Sequence, residues 1–221
     1  MNLKKNVSKI PSALISWIKD QLKKENNQLQ AENEFLDVHF YRVDLTLDLK
    51  TAHPRLEVSE DGKSVRDTGN IHHVLMSKER FESHTFVLAK QGFSKGNYYW
   101  EVEVSHKNVW DLGVASETAP RIGKITLSPQ NGYWVIGCDY RKDYWARTDP
   151  WTRLNMPSKP TRIGIFLNVK SHEISFYDAK RKHKLYTFLH VASGKFYPFF
   201  STGSVKGEEF DNGELIISPW F

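Results

Sequence analysis

Two glutamates, Glu101 and Glu103, stand two residues apart in the run "GNYYWEVEV" (96–104), a spacing at which a β-strand turns both carboxylates to one face. Paired carboxylates are the machinery of glycoside hydrolysis, where a retaining enzyme holds its carboxyls about 5–5.5 Å apart across a sugar cleft. Strand rise sets this pair about 7 Å apart, and the continuing "SHKNVWD" (105–111) adds no third acid in register. Alternation gives Trp100, Val102 and Val104 to the core. The glutamates therefore belong to the opposite face, and the expectation is a hydrated or lysine-paired surface rather than a catalytic pair.

The rest of the chemical inventory is sparse. His72 and His73 are adjacent and "KSHE" (170–173) has no metal-ligand spacing, so no metal site is assigned. No G-x-S-x-G elbow and no phosphate-cradling glycine loop occur. The single cysteine, Cys138, excludes an internal disulfide and a multi-thiolate zinc site. The basic run "AKRKHK" (179–184) falls between two strand candidates and is read as a solvated hairpin turn. No catalytic residue and no cofactor is assigned, and no enzymatic activity is expected. One cysteine in 221 residues suits a reducing compartment. No apolar run reaches the roughly 18 residues of a membrane span, and the opening "MNLKKNVSKIPSALISWIKDQ" is too broken for a secretory signal. The chain is expected in the cytoplasm, either free or as the cytoplasmic part of a membrane protein, without membrane insertion of its own. A net charge of +5 falls short of a nucleic-acid surface.

The elements that must carry any site divide into two parts. In residues 10–36, Ile15, Leu22, Leu29 and Leu36 recur every seven residues, with Lys19, Asn26 and Asn33 at the companion positions and Pro11-Ser12 as a start signal. This predicts a helix, either a coiled-coil or juxtamembrane stalk that pairs two chains into a homodimer or an amphipathic helix packed on the following domain. Residues 1–42 are assigned to this segment and 43–221 to one domain. From Val43 onward short apolar alternations predominate: 43–49, 84–89, 98–104, 110–115, 133–137, 162–169, 173–178, 184–189 and 214–218 are strand candidates. Asp61-Gly62, Asn131-Gly132 and Asn212-Gly213 supply hairpin chemistry between them. Many short strands without a second helical pattern predict an all-β, two-sheet antiparallel sandwich behind the helix.

The same stretches carry a resemblance. "VDLTLDLKTAHPRLEVSEDGKSVR" (43–66) resembles a PRY segment, and "FVLAKQGFSKGNYYWEVEV", "WDLGVA", "GKITLSPQNGYWVI", "RIGIFLN", "ISFYDA" and "FYPFFS" resemble SPRY motifs in their usual order. The chain is thus similar to the PRY-SPRY domains of butyrophilins and tripartite-motif proteins. That resemblance implies a distorted, concanavalin-like jelly-roll sandwich that recognises a partner protein or peptide, in immune signalling or regulation, without catalysis.

Loops at one end of such a sandwich carry binding. The richest is 137–157, "GCDYRKDYWARTDPWTRLNMP", which joins Tyr140, Tyr144, Trp145 and Trp151 to Arg141, Lys142, Arg147 and Arg153. Trp, Tyr and Arg are the types enriched at interface hot spots. The expected partner-binding set is His84, Asp111, Tyr140, Arg141, Tyr144, Trp145, Arg147, Trp151, Arg153, Ser204 and Val205. One of Tyr144 and Trp145 is expected to point inward on a short strand, and at least two of the four aromatics to be exposed. One butyrophilin branch senses phosphorylated isoprenoids in a basic pocket, whose positions fall here on His84, Asp111, Thr126, Trp145 and Trp151. Only His84 keeps the basic character, so an anionic-metabolite sensor is the alternative reading, tested by whether His84, Arg147 and Arg153 converge. A jelly-roll glycosidase is the second alternative, tested by whether the glutamates line a cleft.

Overall fold

The computed structural model describes residues 11–75, 77–140, 143–203 and 211–219. Helix α1 (Ser12–His39) begins directly after Pro11, where a residue without an N–H costs nothing. Thirteen strands follow among the described residues: β1 (Leu56–Val58), β2 (Ser64–Asp67), β3 (Phe86–Leu88), β4 (Asn97–Glu103), β5 (Trp110–Ser116), β6 (Tyr133–Cys138), β7 (Tyr144–Ala146), β8 (Thr152–Leu154), β9 (Arg162–Asn168), β10 (Glu173–Asp178), β11 (His183–Phe188), β12 (Phe196–Ser201) and β13 (Leu215–Ile217). They form two antiparallel sheets, one ordered β1-β2-β13-β4-β9-β10-β11 and the other β3-β12-β5-β6-β7-β8. The expected sandwich is present.

Between the sheets lies the main core, with Trp100, Val102, Leu112, Val114, Ile136, Ile163 and Ile165 almost wholly buried. Two smaller cores cover the outer faces. Phe81, Phe86, Tyr133 and Phe199 pack outside the six-stranded sheet, while Phe35 and Val38 from α1 pack on Tyr99 and Tyr177 outside the seven-stranded one. The helix thus docks only its last turns. Leu22, Leu29 and Leu36 remain 53–58% exposed.

Several local expectations need correction. Residues 43–49 alternate like a strand yet form no ladder, contributing only the bridge Leu47–Ala89, with Arg42–Tyr99 just before them. Asp61-Gly62 does close the β1–β2 hairpin, with Gly62 at φ +69°. Asn212-Gly213, in contrast, lies in the connection that crosses from β12 in one sheet to β13 in the other. Of the run 179–184, residues 179–182 form the β10–β11 turn, with Lys182 at φ +54°, while His183 and Lys184 already pair with β10.

The largest correction concerns Glu101. Its side chain is 4% exposed, because the end of α1 covers the outer face of β4. Tyr99 Oη donates to Glu101 Oε1 at 2.9 Å, Arg162 Nη1 to Oε2 at 3.3 Å, and His39 Nε2 and Arg42 Nη2 lie at 3.3 and 3.8 Å. Burial and that carboxylate push the Tyr99 phenol far up from its ordinary value. Glu103 is partly exposed and accepts from Ser105 Oγ at 2.8 Å. The two glutamates occupy different environments, one sealed among two guanidiniums, an imidazole and a phenol, the other at the partly exposed end of β4.

Candidate functional site

The segment expected to be an irregular loop is a hairpin. β7 and β8 pair with Trp145 opposite Arg153 and Ala146 opposite Thr152; the same register carried one step outward sets Arg147 opposite Trp151. Sheet pairing then extends each position across the six-stranded sheet. One outer-face row runs Phe86, Ser201, Asp111, Gly137, Trp145, Arg153, from β3 through β12, β5, β6 and β7 to β8.

Cations and rings alternate on this hairpin. Arg147 Cζ lies 4.1 Å from the Trp151 ring centroid and Arg153 Cζ 6.0 Å from that of Trp145. The two indoles are 6.1 Å apart at 52°. Each cation–π contact contributes about 0.5–1 kcal/mol when exposed and about 2 when desolvated. Acids anchor the ladder at three points. Arg147 Nε donates to Asp111 Oδ1 at 2.5 Å, both side chains being at least nine-tenths buried. Arg153 Nη2 donates to Asp143 at 2.5 Å on the exposed side. Trp145 Nε1 donates to Asp139 Oδ2 at 3.2 Å.

Burial raises the Asp111 carboxyl from its ordinary value, against the pull of the Arg147 charge. Gly137 makes that arrangement possible, because a Cβ there would overlap the Asp111 carboxylate. One donor, Arg147 Nη1, is sealed from solvent without an acceptor among the described residues. Trp151 is 51% and Tyr140 38% exposed, so two of the four aromatics face solvent, as expected. Tyr144 points inward and packs on Trp110 at 6.2 Å, and Trp145 is half-buried.

The structure therefore gathers Asp111, Trp145, Arg147, Trp151 and Arg153. His84 stands elsewhere. It stacks on Phe86 at 4.9 Å, accepts the Ile125 N–H at 2.9 Å through Nε2, and burial lowers its pKa. From β3 to β7 is four strand spacings, about 19 Å, so His84 does not converge with Arg147 and Arg153. Arg141, Ser204 and Val205 lie outside the described residues.

Sequence reasoning missed Asp139 and Asp143 as anchors. It also missed the clamp beside the site. Lys107, fully buried, donates through Nζ to the Asp211 carbonyl at 2.9 Å and lies 3.2 Å from its Oδ2. That carboxylate also accepts the Asn108, Val109 and Gly213 amides. The clamp ties the connection after β4 to the one before β13. Cys138 is buried and its thiol is pushed up to about 11, leaving almost no thiolate at neutral pH. No group of three metal-ligating side chains occurs among the described residues, and none of their helices is long and apolar enough to cross a membrane.

Comparison with known proteins agrees with this architecture. Residues 97–214 match the SPRY domain and residues 45–93 the SPRY-associated domain. The chain is 35% identical to human "Zinc finger protein RFP" over 207 residues, covering 93% of this chain and 40% of that protein. It is 36% identical to human "Butyrophilin subfamily 1 member A1" over 200 residues, covering 86% and 38%. It spans at most about two fifths of the length of these relatives. Among solved structures, the TRIM65 PSpry domain superposes with a TM-score of 0.70 at 19% identity, covering 83% of this chain and 95% of that one.

Proposed function

The chain belongs to the PRY-SPRY family, and from that premise we propose that it is a non-catalytic recognition module that grips a partner protein or peptide with the outer face of the β7–β8 hairpin. Family membership supports an interaction module. The observation that carries the assignment to this surface is the tryptophan–arginine ladder, solvent-facing at Trp151 and braced beneath by the buried Asp111–Arg147 pair. Rigid aromatic and guanidinium groups over a fixed base lose little entropy on binding. Tyr140 extends the surface toward solvent, and the Lys107–Asp211 clamp fixes the neighbouring connections.

Trp151→Ala is the clean probe. Arg147→Ala would leave Asp111 buried and unpaired, which destabilises the fold, whereas Trp151 is half exposed. Affinity capture from cell extract with the Trp151→Ala chain is expected to retain the specific partner about tenfold less than wild type. The thermal midpoint should stay within about 2 °C. Equal recovery of every partner would place recognition on another surface.

We further propose that α1 pairs two chains. Phe35 and Val38 dock on the chain's own sheet, yet Leu36 points about 100° further round the helix. The Leu22-Leu29-Leu36 stripe thus stays available to a second copy, with Asn26 and Asn33 setting the register. A dimer would raise the effective concentration of the second ladder. Sedimentation of the full chain is expected to give twice the monomer mass and of residues 35–221 the monomer mass; monomers from both would remove the stalk. The single cysteine supports a reducing, cytoplasmic setting.

A further inference from the structure

At the other end of the sandwich, a cleft of about 590 Å³ opens among three segments: residues 94–97 leading into β4, 169–172 between β9 and β10, and 193–194 before β12. Tyr41, just past α1, forms one wall. The cleft sits where β4 and β12 begin. The Lys107–Asp211 clamp sits where they end, so the two places are separated by the length of the strands.

Backbone bonds fix the shape of this cleft. Val169 N–H donates to the Gly96 carbonyl at 3.1 Å, Val191 N–H to the His172 carbonyl at 2.9 Å, and Ser171 N–H to Asn168 Oδ1 at 2.9 Å. His172 holds the left-handed φ of +57°, and its Nδ1 donates to the Val191 carbonyl at 3.0 Å, leaving Nε2 over. The Tyr41 ring rests on Phe166 at 5.9 Å. At Gly194 the space a Cβ would enter is open, with nothing within 4 Å.

The charge around the cleft has one sign. Lys95 and Lys170 both line it, no Asp or Glu does, and neither lysine makes an ion pair among the described residues. Both lysines are exposed at the rim, and an oxyanion seated between them would accept a charge-assisted hydrogen bond from each. Val169, Tyr41 and the lysine stems supply apolar wall. The volume is that of a small-molecule site and far exceeds a water's share of about 30 Å³.

We propose that this cleft binds a small organic anion, its carboxylate or phosphomonoester head between Lys95 and Lys170 and its ring-sized apolar body against Tyr41 and Val169. The test is titration of the isotope-labelled full chain with phenyl phosphate, benzoate and inorganic phosphate, followed through amide resonances. Saturable shifts at Gly96, Lys170 and Gly194 are expected with at least one of the aromatic anions, and the tighter of the two identifies the head group. Inorganic phosphate should bind about tenfold more weakly. The Lys95→Gln/Lys170→Gln variant, altered only at exposed side chains, should keep its thermal midpoint and lose about tenfold in affinity. Absent or non-saturating shifts with both aromatic anions, shifts confined to the β7–β8 hairpin, inorganic phosphate binding as tightly as phenyl phosphate, or an undiminished response of the double variant would each overturn the proposal.

Discussion

Replacing Trp100 by alanine is expected to cost about 3–5 kcal/mol and lower the thermal midpoint by about 10 °C or more. Trp100 is 1% exposed in the main core. It stands on β4 opposite Ile165 of β9, with the Phe93 ring 6.4 Å away. Sheets on both sides of the vacated volume are held by their own ladders and cannot collapse into it, so the cavity term adds to the lost transfer energy. Trp100→Phe, which retains a ring, should recover most of the loss. A midpoint within about 3 °C of wild type for Trp100→Ala would mean that the inner face of β4 is not in the core.

Asp211→Asn should be nearly as costly, at about 3–5 kcal/mol, for an electrostatic reason. Burial lowers the Lys107 pKa against the opposing pull of Asp211. Burial also pushes the Asp211 carboxyl up, but the Asn108 amide and the Lys107 ammonium overcome it and hold it below its ordinary value. Its stabilisation is therefore complete above the ordinary carboxylate range and is lost as pH falls through the depressed folded value. Neutralising Asp211 strands a fully buried ammonium. The double variant Lys107→Met/Asp211→Asn removes the stranded charge and should recover more than half of the loss. A single variant as stable as wild type at pH 7 would show that Lys107 reaches solvent. Hydrogen exchange should also quicken at Asn108 and Val109 in Asp211→Asn, since their amides lose charge from a shared acceptor.

Much of the fold was legible because strand alternation and turn chemistry agree along most of the chain. β4, β9 and β10 each show one strongly apolar face, and Pro11-Ser12 marks the helix start. β12 escapes the strand pattern, since Pro198 argues against an inner strand. Yet β12 lies between β3 and β5, where the Pro198 carbonyl accepts the Ala89 N–H at 2.9 Å. β1, β2, β7 and β8 are three or four residues long, too short for periodicity to declare itself. Residues 43–49 alternate because Leu45 and Leu47 turn into the core, while their backbone makes only the isolated bridge Leu47–Ala89 and no ladder.

The site was half visible. Its residue types stood out, but their arrangement did not, although "WARTDPWTR" (145–153) carries a usable signal. Two Trp-x-Arg units flank a turn, and antiparallel pairing of such units must set each indole opposite a guanidinium. Glu101 was misjudged for a different reason. Alternation tells which face a side chain takes, but only tertiary structure tells that α1 returns to cover that face, and Phe35 and Val38 gave no indication of which sheet they would choose. The Asp111–Arg147 and Lys107–Asp211 pairs span 36 and 104 residues, a separation at which sequence carries no pairing rule.

Placing a photoreactive phenylalanine analogue at position 151, and in a parallel sample at exposed position 57 on the β1 edge, tests the recognition surface most directly. If the β7–β8 hairpin grips the partner, illumination of the captured complex will join the partner covalently to position 151 and leave position 57 unlinked. Crosslinks from position 57 with none from position 151 would contradict it.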